Sequence, residues 1–254
     1  MRQGPNTRIS VGPVVGSQAS YFDTVAGFTA RTGLTPTLLF PLQEASGNVV
    51  DKVSGSTLVA GSTIRYRYPT GGVNGIQYNH SIANHSADFG DVGTNSFIVG
   101  GIATHPVAFP VTNPGVTGRT SATGFPCYYL YRASDTLNYG SFVVRDATTQ
   151  YLLPAPATDV VTHKKPVLYL GAIDKSTNLI RFCLATTDSI LFNGTGSCAG
   201  ILTLSGGTTP KYFVGASAAT SGGPAVSYSF LCQGAQCEGL NLATLAKRMG
   251  FGGN

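Results

Sequence analysis

The acidic residues decide first what chemistry this chain could perform. Cleaving a glycosidic bond takes two facing carboxylates, one to protonate the leaving oxygen and one to attack or to activate water. The sequence has only two glutamates, Glu44 and Glu238, far apart in the chain, and no Glu-x-Asp-x-x-Glu strand motif. Nor does it have the Gly-x-Ser-x-Gly elbow of a serine hydrolase or a phosphate-cradling Gly-x-x-x-x-Gly-Lys loop. The densest set of candidate ligands is Asn79, His80, Asn84, His85, Asp88 and Asp91. Calcium takes six to eight oxygen ligands, so Asn84, Asp88 and Asp91 are the candidate metal residues, with calcium as the ion. The two histidines do not suit calcium, and their spacing of five does not put them on one helical face for zinc. Tyr129 and Tyr131 alternate with Tyr128 and Leu130, so they share one strand face and form a candidate platform for a sugar ring. The sequence has no Trp, the strongest such platform.

Composition narrows the class of protein. Charged residues make up 11% of the chain, where ~25% is usual, yet 42% hydrophobic and 10% aromatic residues are ample for a core. Polarity is carried by Ser and Thr, and 33 Gly with 14 Pro give a loop-rich globular pattern. The net charge of +5 is scattered, with Arg65 and Arg67, Lys164 and Lys165, and Lys247 and Arg248 as separate pairs, so no nucleic-acid-binding stripe is expected. The most apolar stretch, Phe97 to Val111, is broken by His105, Pro106 and Pro110, which argues against a membrane helix. The start of the chain lacks the pattern of a secretory signal, and synthesis in a cytoplasm without export is expected. Cys127, Cys183, Cys198, Cys232 and Cys237 lack Cys-x-x-Cys spacing, so free thiols are expected; an oxidising compartment would make Cys232 and Cys237 the pair to bridge.

The elements that must hold these residues are strands. Residues 1–33 read as an extended arm that lays Val14, Val15, Tyr21, Phe22, Val25 and Phe28 on a partner, and residues 34–254 as one β-domain. Strands are expected near residues 35–40, 75–78, 96–103, 127–132, 141–145, 167–173, 179–185, 200–204, 212–216 and 226–231. In the seventh of these, Ile180, Phe182 and Leu184 face one way and Arg181 the other. Turn residues 174–178 and 135–138 join neighbouring strands as hairpins, which implies antiparallel pairing. A single short helix is expected after Asn241 as N-cap, with Leu242, Leu245 and Met249 on one face and Gly250 as its stop.

Several segments resemble a known family. Leu38-Leu39-Phe40-Pro41-Leu42-Gln43-Glu44-Ala45-Ser46-Gly47, followed by Asp51 and Ser54-Gly55, is similar to the opening of concanavalin A-like, laminin-G-like jelly-roll domains. The hairpin from Pro166 to Phe182 resembles the central hairpin of that family, Lys211 to Gly215 its late strand, and Phe230 with Leu240 to Met249 its last strand and trailing helix. Phe40 stands where Trp or Tyr is commoner, and no Asp-Gly or Asn-Gly follows Phe182. The resemblance implies an all-β, antiparallel jelly-roll sandwich, a calcium site at one rim in many members, and Glu44 in a structural turn. Members with an arm and a charge-poor surface occur among tailed-phage virion proteins. The expected role is therefore a non-enzymatic virion component, a head decoration or tail-associated protein that contacts other virion proteins through residues 1–33. The alternative is a lectin-type module for cell-surface glycans. Purified protein is expected to show no turnover on polysaccharides, and hydrolysis that disappears in Glu44→Gln would overturn that expectation.

Overall fold

The computed structural model describes residues 23–42, 48–59, 64–70, 73–78, 83–84, 90–104, 115–121, 124–132, 140–156, 165–201, 203–208, 211–215 and 225–253. Within β4, β5 and β6, at Arg132 and at Ala225, only the backbone is described. Two antiparallel sheets face each other. The larger holds β1 (Pro36–Phe40), β4 (Ile64–Thr70), β5 (Val73–Tyr78), β7 (Phe97–Thr104), β12 (Pro166–Asp174), β13 (Leu179–Thr186), β14 (Ile190–Ser197) and β16 (Ala225–Gln233). Its order is β14-β13-β12-β7-β16-β5-β4, with β1 on the later half of β16, where Leu39 lies opposite Phe230. The smaller runs β11 (Gln150–Pro154), β10 (Gly140–Arg145), β9 (Cys127–Arg132), β8 (Gly115–Thr120), β15 (Lys211–Val214), β6 (Ala83–Asn84). The short β2 (Val49–Val50) and β3 (Thr57–Leu58) pair as a hairpin.

The main core lies between the sheets. Phe97, Val99, Tyr169, Ile180, Phe182 and Leu184 meet Val116, Tyr128, Leu130, Phe142, Val144 and Tyr212, all buried. The alternation read in β13 is therefore correct, and Arg181 points the other way. A second apolar layer covers the outer face of the larger sheet. There α1 (Val25–Thr32) and α2 (Leu242–Arg248) place Phe28, Leu242, Leu245 and Met249 on Ile98, Leu168, Leu170, Cys183 and Phe230. Asn241 caps α2 by accepting from the Thr244 amide, as its position before the apolar run predicts.

Two sequence expectations need correction. The sequence predicts an extended arm over residues 1–33, but residues 25–32 are helical: Thr24 caps them by accepting from the Gly27 amide, and Gly33 ends them at φ 79°. Phe28 is fully buried against Phe230, ring centroids 4.9 Å apart, so this helix belongs to the protein's own core. Residues 1–22 of that arm lie outside the described residues. The strand expected at 200–204 is an irregular segment. Its Ile201 carbonyl accepts from Lys175 Nζ at 2.6 Å and its Leu204 carbonyl from Arg119 Nη1 at 3.1 Å, so cationic side chains take the place of a ladder.

Buried aspartates tie the turns. Asp51 accepts from the Leu39, Val53 and Ser54 amides and from the Ser54 hydroxyl, which fixes the β2–β3 hairpin on β1. Asp146 accepts from the Thr148 and Thr149 amides between β10 and β11. Asp174 accepts from Ser176 and from the Gly239 amide at 3.0 Å, and pairs with Arg181 at 3.0 Å. Burial works against its charge, but hydrogen bonds from Ser176, Gly239 and Thr177 outweigh burial and hold the carboxyl well below the usual carboxylate range. A folded-state pKa that is depressed stabilises the fold above the ordinary carboxylate value of about 4, and that stabilisation is lost as pH falls below it. Asp174→Asn should therefore cost about 2–3 kcal/mol near neutral pH by urea denaturation, after allowance for the partial exposure of Arg181. Wild type and variant should converge as pH falls below about 4; a gap that stays constant with pH would contradict this role.

Candidate functional site

The outer face of the smaller sheet carries the tyrosines singled out in the sequence. In β9, Tyr128 and Leu130 enter the inter-sheet core, so Tyr129 and Tyr131 lie on the opposite face. Their ring centroids are 5.6 Å apart at 48°, and Tyr129 is 6.4 Å from Phe213 at 52°. Register explains the grouping. Tyr129 lies opposite Val143 on one side and Gly118 on the other, Val143 faces Leu152, and Gly118 faces Phe213. Gly118 is required in this row, since a Cβ there would strike the Tyr128 carbonyl and the Tyr129 backbone. Its missing side chain lets the Tyr129 and Phe213 rings approach across β8. Leu152, 48% exposed, extends the apolar band to the outer strand β11.

The surroundings of this band are nearly uncharged. Burial, with smaller contributions from Cys127 and Tyr131, pushes the Tyr129 hydroxyl up to about 12, so it stays a neutral donor and acceptor at physiological pH. Cys127 shares the face, and burial raises its thiol to about 11, which keeps it protonated and unreactive. Arg145, opposite Cys127 in register, holds its guanidinium 4.9 Å from the centre of the Phe125 ring. A half-buried aromatic pair with one cation beside it offers ring faces to the C–H side of a sugar and a donor to its hydroxyls. All five cysteines are buried free thiols, Cys232 and Cys237 included.

The candidate metal residues do not assemble as the sequence suggested. Asp88 lies outside the described residues, as do Asn79, His80 and His85. Asn84 is in β6 with its backbone opposite Phe213. Asp91 is engaged: it accepts from the Gly93 amide at 2.8 Å, the Ser205 hydroxyl at 2.8 Å and the Gly206 amide at 3.3 Å, and lies 3.8 Å from the Arg119 guanidinium. Arg119 is fully buried and also donates to the Leu204 and Gly206 carbonyls. A carboxylate that neutralises a buried guanidinium and orders the 203–207 segment is an anchor, and a cation beside it would meet repulsion from Arg119. Among the described residues no group of three or more His, Cys, Asp and Glu is placed to hold a metal ion.

Sequence reasoning missed Gly118, Val143, Leu152 and Phe213 as members of the aromatic band. β8 reads Gly-Val-Thr-Gly-Arg-Thr and carries no strand signal, and β11 was not recognised. Phe213 was placed in a strand, but no local pattern says which strand lies beside it.

No protein-family model and no curated protein matches the sequence. Among solved structures, the chain is similar to the binding domain of botulinum neurotoxin serotype D, with TM-score 0.59 and 7% identity over 88% of this chain and 52% of that one. A second structure, described as the receptor binding domain of botulinum neurotoxin D, gives TM-score 0.55 and 9% identity over 85% of this chain and 52% of that one. The chain thus spans about half the length of either. A CBM40 module of the Ruminococcus gnavus IT-sialidase, bound to alpha2,6 sialyllactose, gives TM-score 0.49 and 12% identity over 69% of this chain and 96% of that one. The fold is a concanavalin A-like jelly-roll sandwich. Because Asp91 serves Arg119, about 10 mM calcium should leave the thermal midpoint unchanged, while Asp91→Ala should cost about 1–3 kcal/mol. A calcium-induced rise that Asp91→Ala abolishes would restore the metal assignment.

Proposed function

We propose that the protein is a non-catalytic glycan-binding module whose outer aromatic band takes sugar rings. The observation that carries this reading is the pair of half-buried rings Tyr129 and Tyr131 on the outer face of the smaller sheet, backed by the buried Phe213 and with Arg145 on the same face. Tilted tyrosines at this spacing present ring faces for C–H contacts, and their hydroxyls add hydrogen bonds without net charge. The likeness in fold to a receptor-binding domain supports a role in recognition. The scarcity of glutamate, and the engagement of Asp51, Asp91, Asp146 and Asp174 in turn and ion-pair contacts among the described residues, favour binding over hydrolysis.

A second reading places the module in a virion, as a head decoration or tail-associated protein made in the host cytoplasm. It is favoured by one edge strand of each sheet, β14 and β11, which carry no charged residue, whereas the opposite edge β4 carries Arg65 and Arg67. Edge strands are normally guarded by charge, so an unguarded pair suits close packing beside other protein chains. Mass spectrometry of purified particles tests this reading, and recovery only as free protein would defeat it.

Glycan binding is tested by array screening followed by calorimetry on the strongest hits. Tyr131→Ala and Tyr129→Ala should each weaken binding by about 5- to 30-fold, the equivalent of roughly 1–2 kcal/mol of lost stacking. Unchanged circular dichroism would confirm that the fold survives. A protein that retains no glycan, or whose binding ignores both substitutions, would refute the proposal.

A further inference from the structure

The opposite side of the sandwich has a cleft of about 230 Å³ lined by Arg181, Asn193, Thr195 and the segment Gly239–Leu242. Its floor follows from strand register. Arg181 lies opposite Thr195 and Cys183 opposite Asn193, so the row that turns away from the inter-sheet core presents a guanidinium, a hydroxyl and a carboxamide. Its wall is the backbone leading into α2 together with Asn241. The wall is fixed to the floor: Asp174 pairs with Arg181 Nη2 at 3.0 Å and accepts from the Gly239 amide at 3.0 Å, while Arg181 Nη1 donates to the Leu240 carbonyl at 3.3 Å. Three contacts through two side chains thus hold the cleft open before any ligand arrives.

The chemistry of the lining restricts the ligand. Arg181 is the one cationic residue of the lining, and Asp174 compensates its charge, so the cleft is polar but close to neutral. The guanidinium is already paired with Asp174, which disfavours phosphate. Asp174 is fully buried behind Arg181, which disfavours a metal cation. The Asn193 carboxamide and the Thr195 hydroxyl offer donors and acceptors together, the combination that pairs with vicinal hydroxyls, and Asn241, whose Oδ1 caps α2, has its NH2 as a donor. Leu240, partly buried, supplies an apolar wall. The volume lies below the roughly 300–1,000 Å³ of sites for drug-sized ligands, which limits the occupant to about one ring. We propose that this cleft is a second binding site, separate from the aromatic band, for a single neutral, hydroxyl-rich ring such as a pyranose.

The test is a titration of the full chain followed by amide and side-chain NMR. Methyl α-glucopyranoside, methyl α-galactopyranoside and N-acetylglucosamine serve as neutral probes, and inorganic phosphate and N-acetylneuraminic acid as charged ones. At least one neutral probe should give saturable shifts confined to Asn193, Thr195 and residues 239–242. Asn193→Ala and Thr195→Val, both at exposed positions, should weaken that binding by about tenfold, or 1.4 kcal/mol. Tyr129→Ala should leave it unchanged, so loss of the aromatic-band reading would not carry this one with it. Shifts that fail to saturate with every neutral probe would overturn the proposal, as would saturation by phosphate or N-acetylneuraminic acid alone. Retention of full affinity in both cleft variants would do the same.

Discussion

Burial of the larger sheet on both faces is the constraint to which the other elements answer. β12 is buried at each of its nine positions and β7 at all but Ile102. Strands in this situation must fit neighbours above and below, and the one charge they carry, Asp174 at the end of β12, is held by Arg181 and by turn hydrogen bonds. Gly100 is an example: a Cβ there would strike the Phe230 ring, so the strand interior gives up a side chain to let an aromatic lie against it. The outer layer of this sheet needs a cover, which α1 and α2 provide. Each large apolar side chain buried there contributes roughly 1.5–3 kcal/mol relative to exposure. Cys183, Cys232 and Cys237 behave in this layer as small apolar residues, with burial pushing the thiols of Cys183 and Cys237 to about 12.

A chain this poor in charge uses its acids where they hold most backbone. Asp51, Asp146 and Asp174 are buried, and each accepts from amides of the turn that it begins. Asp91 performs the same task for a loop and a fully buried arginine together. A carboxylate with several N–H donors stays ionised inside a protein and fixes several residues at once. The resemblance read around Asp51 and Asp174 has this physical content: the aspartates are the residues without which those turns lose their hydrogen-bond acceptor.

Legibility in the sequence followed local period. β13 was readable because Ile180, Phe182 and Leu184 alternate with Arg181, and α2 because Asn241 precedes an apolar face at helical spacing. β8 was not, since Thr117 and Arg119 point into the interior where apolar residues are expected. Thr117 is paid for by contacts with the Tyr212 and Ser229 hydroxyls, and Arg119 by Asp91 and two carbonyls. β14 was missed because its apolar residues, Ile190 to Phe192, are confined to its first three positions and Asn193, Thr195 and Ser197 then alternate with glycines, so no apolar alternation runs along the strand. α1 was hidden by Gly27 and two threonines, and forms because Phe28 finds Phe230 in a strand some two hundred residues later. Of the candidate site, the two tyrosines were visible, but the row from Leu152 to Phe213 exists only through strand pairing.

The same asymmetry decides where a ligand can sit. On the larger sheet α1 and α2 cover part of the outer face, and the cleft lies where α2 begins beside the end strand β14. The smaller sheet has a band of aromatic and aliphatic side chains on its outer face, including the half-exposed Leu152. Neither surface concentrates charge. Recognition on such surfaces depends on shape and hydroxyl geometry instead of long-range attraction, so a single contact is weak and changes little with salt. Weak contacts of this kind become useful when several are engaged at once, by two sites on one chain or by many chains on one particle, because each further contact then forms at a high effective concentration.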